Sequence, residues 1–137
     1  MADETVLITE LEPAVPFTCA DATGIAKGAI LEISDPDTVT TTNGDGDPII
    51  GIAKREKIAD DGQTKIPVYL RGIFRGVAGA AGVTVGKGIQ TDTGTGTANE
   101  LVDLDNDSER IVGIALETAT DRQTFKFYLN PISIEHA

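Results

Sequence analysis

Few side chains in this 137-residue sequence have the chemistry for a reaction centre. It holds one cysteine, Cys19, and one histidine, His136, so a thiolate–imidazole pair would have to join those two positions. Cys19 stands between Thr18 and Ala20 and reads as a small buried apolar residue. His136, the penultimate residue, reads as part of a frayed tail. The stretch Gly82-Val83-Thr84-Val85-Gly86-Lys87-Gly88 has the composition of a phosphate loop without its spacing. Such a loop needs one more residue between the glycines, and a hydroxyl where Gly88 follows the lysine. Oxygen-bearing side chains alternate at Asn43, Asp45 and Asp47, and again at Asp103, Asp105 and Asp107, as they do at the start of a Ca²⁺ loop. The bidentate glutamate such a loop requires is replaced by Lys54 and Ile114, and its central glycine by Pro48 and Ser108. Both clusters therefore read as solvated turns. Asn106-Asp107-Ser108 fits a glycosylation triplet, a pattern common by chance, with no secretion signal to support it. The reading assigns no catalytic residue, no cofactor and no metal, and it does not describe an enzyme.

Charge narrows the partners. The sequence has 22 acidic and 11 basic residues, a net charge of -11. Such a surface repels nucleic acid and anionic membrane, because each phosphate contact needs a lysine or arginine. The run Lys54, Arg55, Lys57 is interrupted by Glu56 and reads as a solvated strand end. Self-repulsion at -11 would be relieved in concentrated salt, where the Debye length falls to about 3 Å at 1 M, so a halophilic setting is expected. A single cysteine permits no intrachain disulfide. Met1 to Pro16 carries Asp3, Glu4, Glu10 and Glu12 and has no apolar run of signal-peptide length. No stretch reaches the length of a membrane-spanning helix.

The elements that would carry these residues read as strands. Ile66, Val68 and Leu70 alternate with Pro67, Tyr69 and Arg71, and Phe125, Phe127 and Leu129 alternate with Lys126 and Tyr128. Period two places each triplet on one face of a strand. Three glycines break the Ala-containing stretch from Gly76 to Gly82, each costing roughly 1 kcal/mol in a helix. Three blocks recur in the same order. GIAKGAILEI from Gly24 parallels GVTVGKGIQT from Gly82, IIGIA at 49–53 parallels IVGIA at 111–115, and IPVYLRGI at 66–73 parallels FKFYLNPI at 125–132. The glycines inside the second block, Gly51 and Gly113, predict a bulge or a close backbone approach. Pro67 cannot donate to a ladder, which predicts an edge strand or a strand start.

These signals predict an all-β fold: a compact β-barrel or sandwich made of two similar β units, with an N-terminal extended arm over residues 1–16. The repeats are expected at about 17–76 and 77–134. In the arm, Val6, Leu7 and Ile8 form an apolar run between acids and prolines, which something is expected to cover.

The repeated order resembles the small β proteins that decorate the heads of tailed viruses, the capsid decoration or cement proteins. It is carried by a Gly/Lys-Gly corner with its strand (Gly24 to Ile33), the Ile-Gly-Ile-Ala strands (Ile50 to Ala53; Val112 to Ala115) and a third short strand (Ile66 to Ile73). The resemblance implies a homotrimer on the outer surface of an icosahedral capsid, clamping neighbouring major capsid proteins against genome pressure, after synthesis in the host cytoplasm. It implies capsid contact through the arm, for which Val6, Leu7, Ile8 and the following Phe17 are the candidates. Two other readings share the composition: another virion part, such as a head–tail or tail component, and a small-ligand-binding β accessory domain. Four Phe and two Tyr offer little for stacking a sugar.

Overall fold

The computed structural model describes residues 4–42, 48–92, 99–104 and 110–133. Among the described residues the chain is all strand and turn, with no helix. After β1 (Val6–Glu10) come β2 (Val15–Thr18), β3 (Ile30–Asp35), β4 (Thr38–Thr41), β5 (Ile49–Ala53) and β6 (Lys65–Tyr69). Strands β2 to β6 close into a five-stranded barrel in the order β2-β4-β3-β5-β6. The chain continues with β7 (Gly72–Ala78), β8 (Gly88–Asp92), β9 (Glu100–Asp103), β10 (Arg110–Ala115) and β11 (Thr124–Ser133). These run β7-β11-β10-β8-β9, and a parallel pairing of β9 back onto β7 closes the second barrel. Closure removes the open edges that make isolated sheets prone to stray pairing.

The internal repeat is a structural repeat, pairing for pairing. Ile52 opposite Tyr69 and Ala53 opposite Val68 recur as Ile114 opposite Tyr128 and Ala115 opposite Phe127. The parallel contact of β2 with β4 recurs as that of β7 with β9. Outside the strands, the bridge between Ile25 and Lys57 recurs between Val83 and Ala119. The corners repeat as well: Gly28 and Gly86 have φ of 79 and 86, and Asp60 and Arg122 have φ of 61 and 67. Gly51 and Gly113 make the close approach their position predicts. A β-carbon on either would overlap the carbonyl oxygen of Tyr69 or Tyr128 on the neighbouring strand.

Alternation sorts side chains into the barrels. The first encloses Ile25, Leu31, Val39, Ala53, Ile66 and Val68, with Cys19 among them. The second encloses Val83, Ile89, Leu101, Ala115, Phe125 and Phe127. That second core continues into Ile30, Ile49, Ile52 and Tyr69, which point outward from the first barrel. There β5 packs across β10 and β11, and Tyr69 meets Phe74 edge to face at 5.7 Å. Asn99, fully buried, accepts from the Ile30 N–H at 2.7 Å and donates to the Gly28 carbonyl at 3.0 Å, fastening β9 to the first barrel. Each buried Ile contributes about 1.5–3 kcal/mol, so this joint fixes the two barrels as one body.

Three details differ from the sequence reading. Strand β7 begins at Gly72 and belongs to the second barrel, so the boundary expected between residues 76 and 77 falls inside a strand. Val15 and Pro16, assigned to the arm, belong to β2 of the first barrel. Pro67 is not at an edge, because β6 lies between β5 and β2. It faces Pro16 across the ladder, and its missing N–H falls just beyond the end of β5, where Lys54 N–H still reaches the Pro67 carbonyl at 3.0 Å. The acidic cluster at 43–47, the later carboxylates Asp105 and Asp107, the glycosylation triplet and His136 lie outside the described residues.

Candidate interaction surface

The arm is built onto the molecule from both ends. Thr5, buried, donates from its N–H and from its hydroxyl to the Gly28 carbonyl, at 3.2 and 2.6 Å. Gly28 has room for this only because it is glycine: a β-carbon there would run into Glu4 and Thr5. From that anchor β1 runs antiparallel along the first half of β7, with Val6 opposite Arg75, Leu7 opposite Phe74 and Glu10 opposite Gly72. The second half of β7 pairs with β9, so one strand serves both partners along the same edge. Leu7 points inward and packs on the second core. Val6 points outward, and Ile8, in the register shift between Leu7 and Thr9, is exposed as well. Phe17 packs half-buried on the first core. Of the four arm and near-arm candidates, Val6 and Ile8 are thus presented outward, while Leu7 and Phe17 hold the scaffold.

The outer face beside them extends across β7, β11 and β10. Strand register aligns Val6, Arg75 and Lys126 in one row, and Thr9, Ile73, Tyr128 and Ile114 in the next. Ile132 extends the face toward the end of β11, opposite Ile111. Arg71 lies over the Tyr128 ring at 5.6 Å, donates to its hydroxyl and pairs with Glu12 at 3.2 Å. Arg75 pairs with Glu117 at 3.3 Å, and the same carboxylate accepts the Lys126 N–H at 2.8 Å. Exposed pairs of this kind add little stability; their effect is to orient the long cations beside an apolar stripe. In a chain of net charge -11, this face gathers Arg71, Arg75 and Lys126 among exposed isoleucine and valine. Sequence reading missed the stripe beyond β1. The signal was there in part, since Tyr128 alternates with the inward Phe127 and Leu129, but nothing in the motif told Ile114 from its repeat partner Ile52.

The remaining polar groups are structural. Lys57 has its side chain 1% exposed, and its Nζ donates to the carbonyls of Asp21 (2.7 Å) and Ile58 (3.0 Å) and to Asp61 Oδ1 (3.2 Å). Asp21 Oδ1 is a further 3.5 Å ion-pair partner. Burial works against the ammonium, but the hydrogen bond and charge of Asp61, with the charge of Asp21, outweigh it and raise the Lys57 pKa. Asp61 is held below the usual carboxylate value, first by the Gln63 N–H and then, against burial, by Lys57 and the Ile58 N–H. Burial pushes the Cys19 thiol up, more than nearby Lys57 lowers it, so the sulfur stays protonated and unreactive. Asp103 accepts from Thr84 N–H and hydroxyl, both at 2.8 Å, and so stabilises a turn. An open hollow of 240 Å³ beside Ala81, Thr84, Thr118 and Ala119 gathers small and hydroxyl side chains with Asp121. Among the described residues, no group of three or more His, Cys, Asp or Glu could hold a metal ion.

What the molecule offers is therefore a double barrel with a mixed apolar and cationic outer face. Residues 9–129 match the family model described as phage cement protein. The chain belongs to the phage cement protein family. That family consists of structural virion proteins associated with the capsid, which agrees with the resemblance read from the repeated blocks. Among solved structures, this cement-family chain is similar to the crystal structure of the head fiber gp8.5 N base in bacteriophage phi29. The TM-score is 0.57 at 20% identity, covering 89% of this chain and 98% of that one. At that identity the likeness concerns the fold. No curated protein matches the sequence.

Proposed function

We propose that this protein decorates the outer surface of an icosahedral capsid, binding the major capsid protein as a homotrimer and stabilising the shell by adhesion, without catalysis. The observation that carries this reading is the exposed edge of β1, where Val6 (51% exposed) and Ile8 (46%) stand beside Arg75 on the second barrel. Among the described strands β1 pairs only with β7, which leaves its outer edge for a strand of the shell. Leu7 supports this contact from below by packing on the second core, and Phe17 packs on the first. Many identical weak contacts on a lattice add through effective concentration, so a small apolar patch per copy suffices. The acidic remainder of the surface suits a salt-rich host.

The test is co-sedimentation with empty capsids. Point changes are preferable to deleting the arm, because deletion would also remove Leu7 from the core and Thr5 from Gly28. Val6→Asp with Ile8→Asp is expected to leave the melting temperature within a few degrees of the parent and to lower capsid occupancy at least tenfold. Undiminished occupancy in the doubly substituted protein would remove β1 as the contact.

A further inference from the structure

We propose that the Ile111, Ile114 and Tyr128 face of the second barrel is covered by a second copy of this chain. The copies join head to tail by repeating the joint that already holds the two barrels together. Inside one chain, the first barrel presents Ile49, Ile52 and Tyr69, all buried, to a second-barrel surface that includes Phe74, Val112 and Leu129. The repeat gives each of these residues a counterpart. Ile114 and Tyr128 stand where Ile52 and Tyr69 stand, as their pairings show, and Ile111 takes the place of Ile49 in the repeated block IIGIA/IVGIA. Yet Ile52 is 1% exposed and Ile114 is 44% exposed.

The socket has an unused counterpart too. Val15 faces Val68 as Phe74 faces Phe127, while Ile50 and Leu70 repeat as Val112 and Leu129. Val15 is exposed at 38%, and Ile50 and Leu70 are half-buried at the margin of the first core. A joint between unlike faces leaves one knob and one socket unfilled at the two ends of the pair, and the same contact can then recur between chains until a ring closes. A ring of three chains would alternate the two barrels around its circumference. Arg71, lying on Tyr128 and paired with Glu12, sits at the rim of this contact. This inference rests on the proposed homotrimer and adds its geometry; the β1 edge stays free for the shell.

Analytical ultracentrifugation of the full chain in dilute and molar salt tests it. The parent is expected to sediment as an oligomer, Ile114→Asp and Val15→Asp each as a monomer, and Ile58→Asp, outside both surfaces, as the parent does. An equal mixture of the two monomeric variants has one intact knob and one intact socket, so it is expected to form a dimer and nothing larger. A monomeric parent in both salts, a variant that keeps the parent's assembly, or a mixture that stays monomeric would each overturn the head-to-tail joint. Circular dichroism melts establish that the variants are folded, and Ile114→Thr with Val15→Thr give a milder pair should either aspartate unfold the chain. Capsid co-sedimentation of the same proteins separates the two readings. Capsid binding by a monomeric parent sinks the joint alone, whereas an oligomer that ignores capsids sinks the decoration role alone.

Discussion

Lys57 shows what a single position can reveal when a fold carries its own comparison. Its ammonium is enclosed by two carbonyls and the carboxylates of Asp21 and Asp61. In the second barrel the same bridge position is Ala119, and Gln123 takes the place of Asp61, accepting the Thr120 N–H at 2.9 Å as Asp61 accepts the Ile58 N–H at 3.2 Å. The cation and its facing anion are thus absent together, as expected if an unpaired buried charge is what the fold cannot tolerate. Lys57→Ala alone leaves the carboxylates facing each other and is expected to lower the urea midpoint clearly. Adding Asp61→Gln, which recreates the second-barrel pair, is expected to recover part of that loss; a double variant less stable than Lys57→Ala would contradict the cage. The pH dependence has a definite sign. The Asp61 carboxyl is depressed in the folded state, so its contribution is present above the ordinary carboxylate pKa and is lost as pH falls through the lower folded value. Lys57 is raised, so its contribution is complete below the usual lysine pKa and is lost as pH climbs through the higher folded value. Urea titrations at descending pH are expected to show a steeper acid loss in the parent than in Asp61→Asn.

Strands and corners explain which parts of this fold could be read in advance. The recurring blocks were legible because each encodes a local requirement: alternating apolar residues for a barrel interior, and glycine where two backbones meet. Gly51 and Gly113 make that requirement measurable. Ala at either would press its β-carbon into the Tyr69 or Tyr128 carbonyl, and a backbone oxygen in a closed barrel cannot swing aside. Overpacking typically costs about 1–3 kcal/mol, and both variants are expected at the upper end or beyond it in urea unfolding. Gly62→Ala is the contrast: with φ of 83 and nothing within 4 Å, it meets only the left-handed penalty of about 1–2 kcal/mol. Equal losses at Gly51 and Gly62 would mean that the strand relaxes. Other features escaped the sequence for physical reasons. Ile52 and Ile114 sit in nearly identical pentapeptides, and only the packing of one barrel on the other makes the first core and the second surface. The pairing of β1 with β7 joins residues far apart in sequence, and the strand's own composition fits a free arm equally well. Pro67 misled because its missing donor matters only if a partner strand continues alongside it, and β5 ends one residue too soon.

At the scale of the whole molecule, the decisive quantity is charge spread over a small rigid body. The apolar contacts of the double barrel and its fastened arm do not depend directly on salt. Its surface does: among the described residues, acids such as Asp35, Asp37, Glu56, Asp60 and Glu117 are exposed, and at a net charge of -11 repulsion between acids exceeds the scattered attraction of pairs such as Arg71 with Glu12 and Arg75 with Glu117. Salt weakens both contributions, but with twice as many acids as bases the repulsive one is larger. The melting temperature is therefore expected to rise steadily from dilute buffer to molar KCl, where the screening length falls to about 3 Å. Potassium glutamate is expected to act much as KCl does if screening is the cause. A melting temperature that stays flat or falls would show that the acids are already balanced within the fold, and the salt-rich setting would lose its support. The same screening works in opposite directions on the two contacts. Assembly between acidic copies, driven by Ile114 and its neighbours, is expected to strengthen with salt. An attachment that relied on Arg75 beside Val6 would weaken, so the salt dependence of capsid occupancy reports how far the β1 edge binds through charge and how far through its exposed valine and isoleucine.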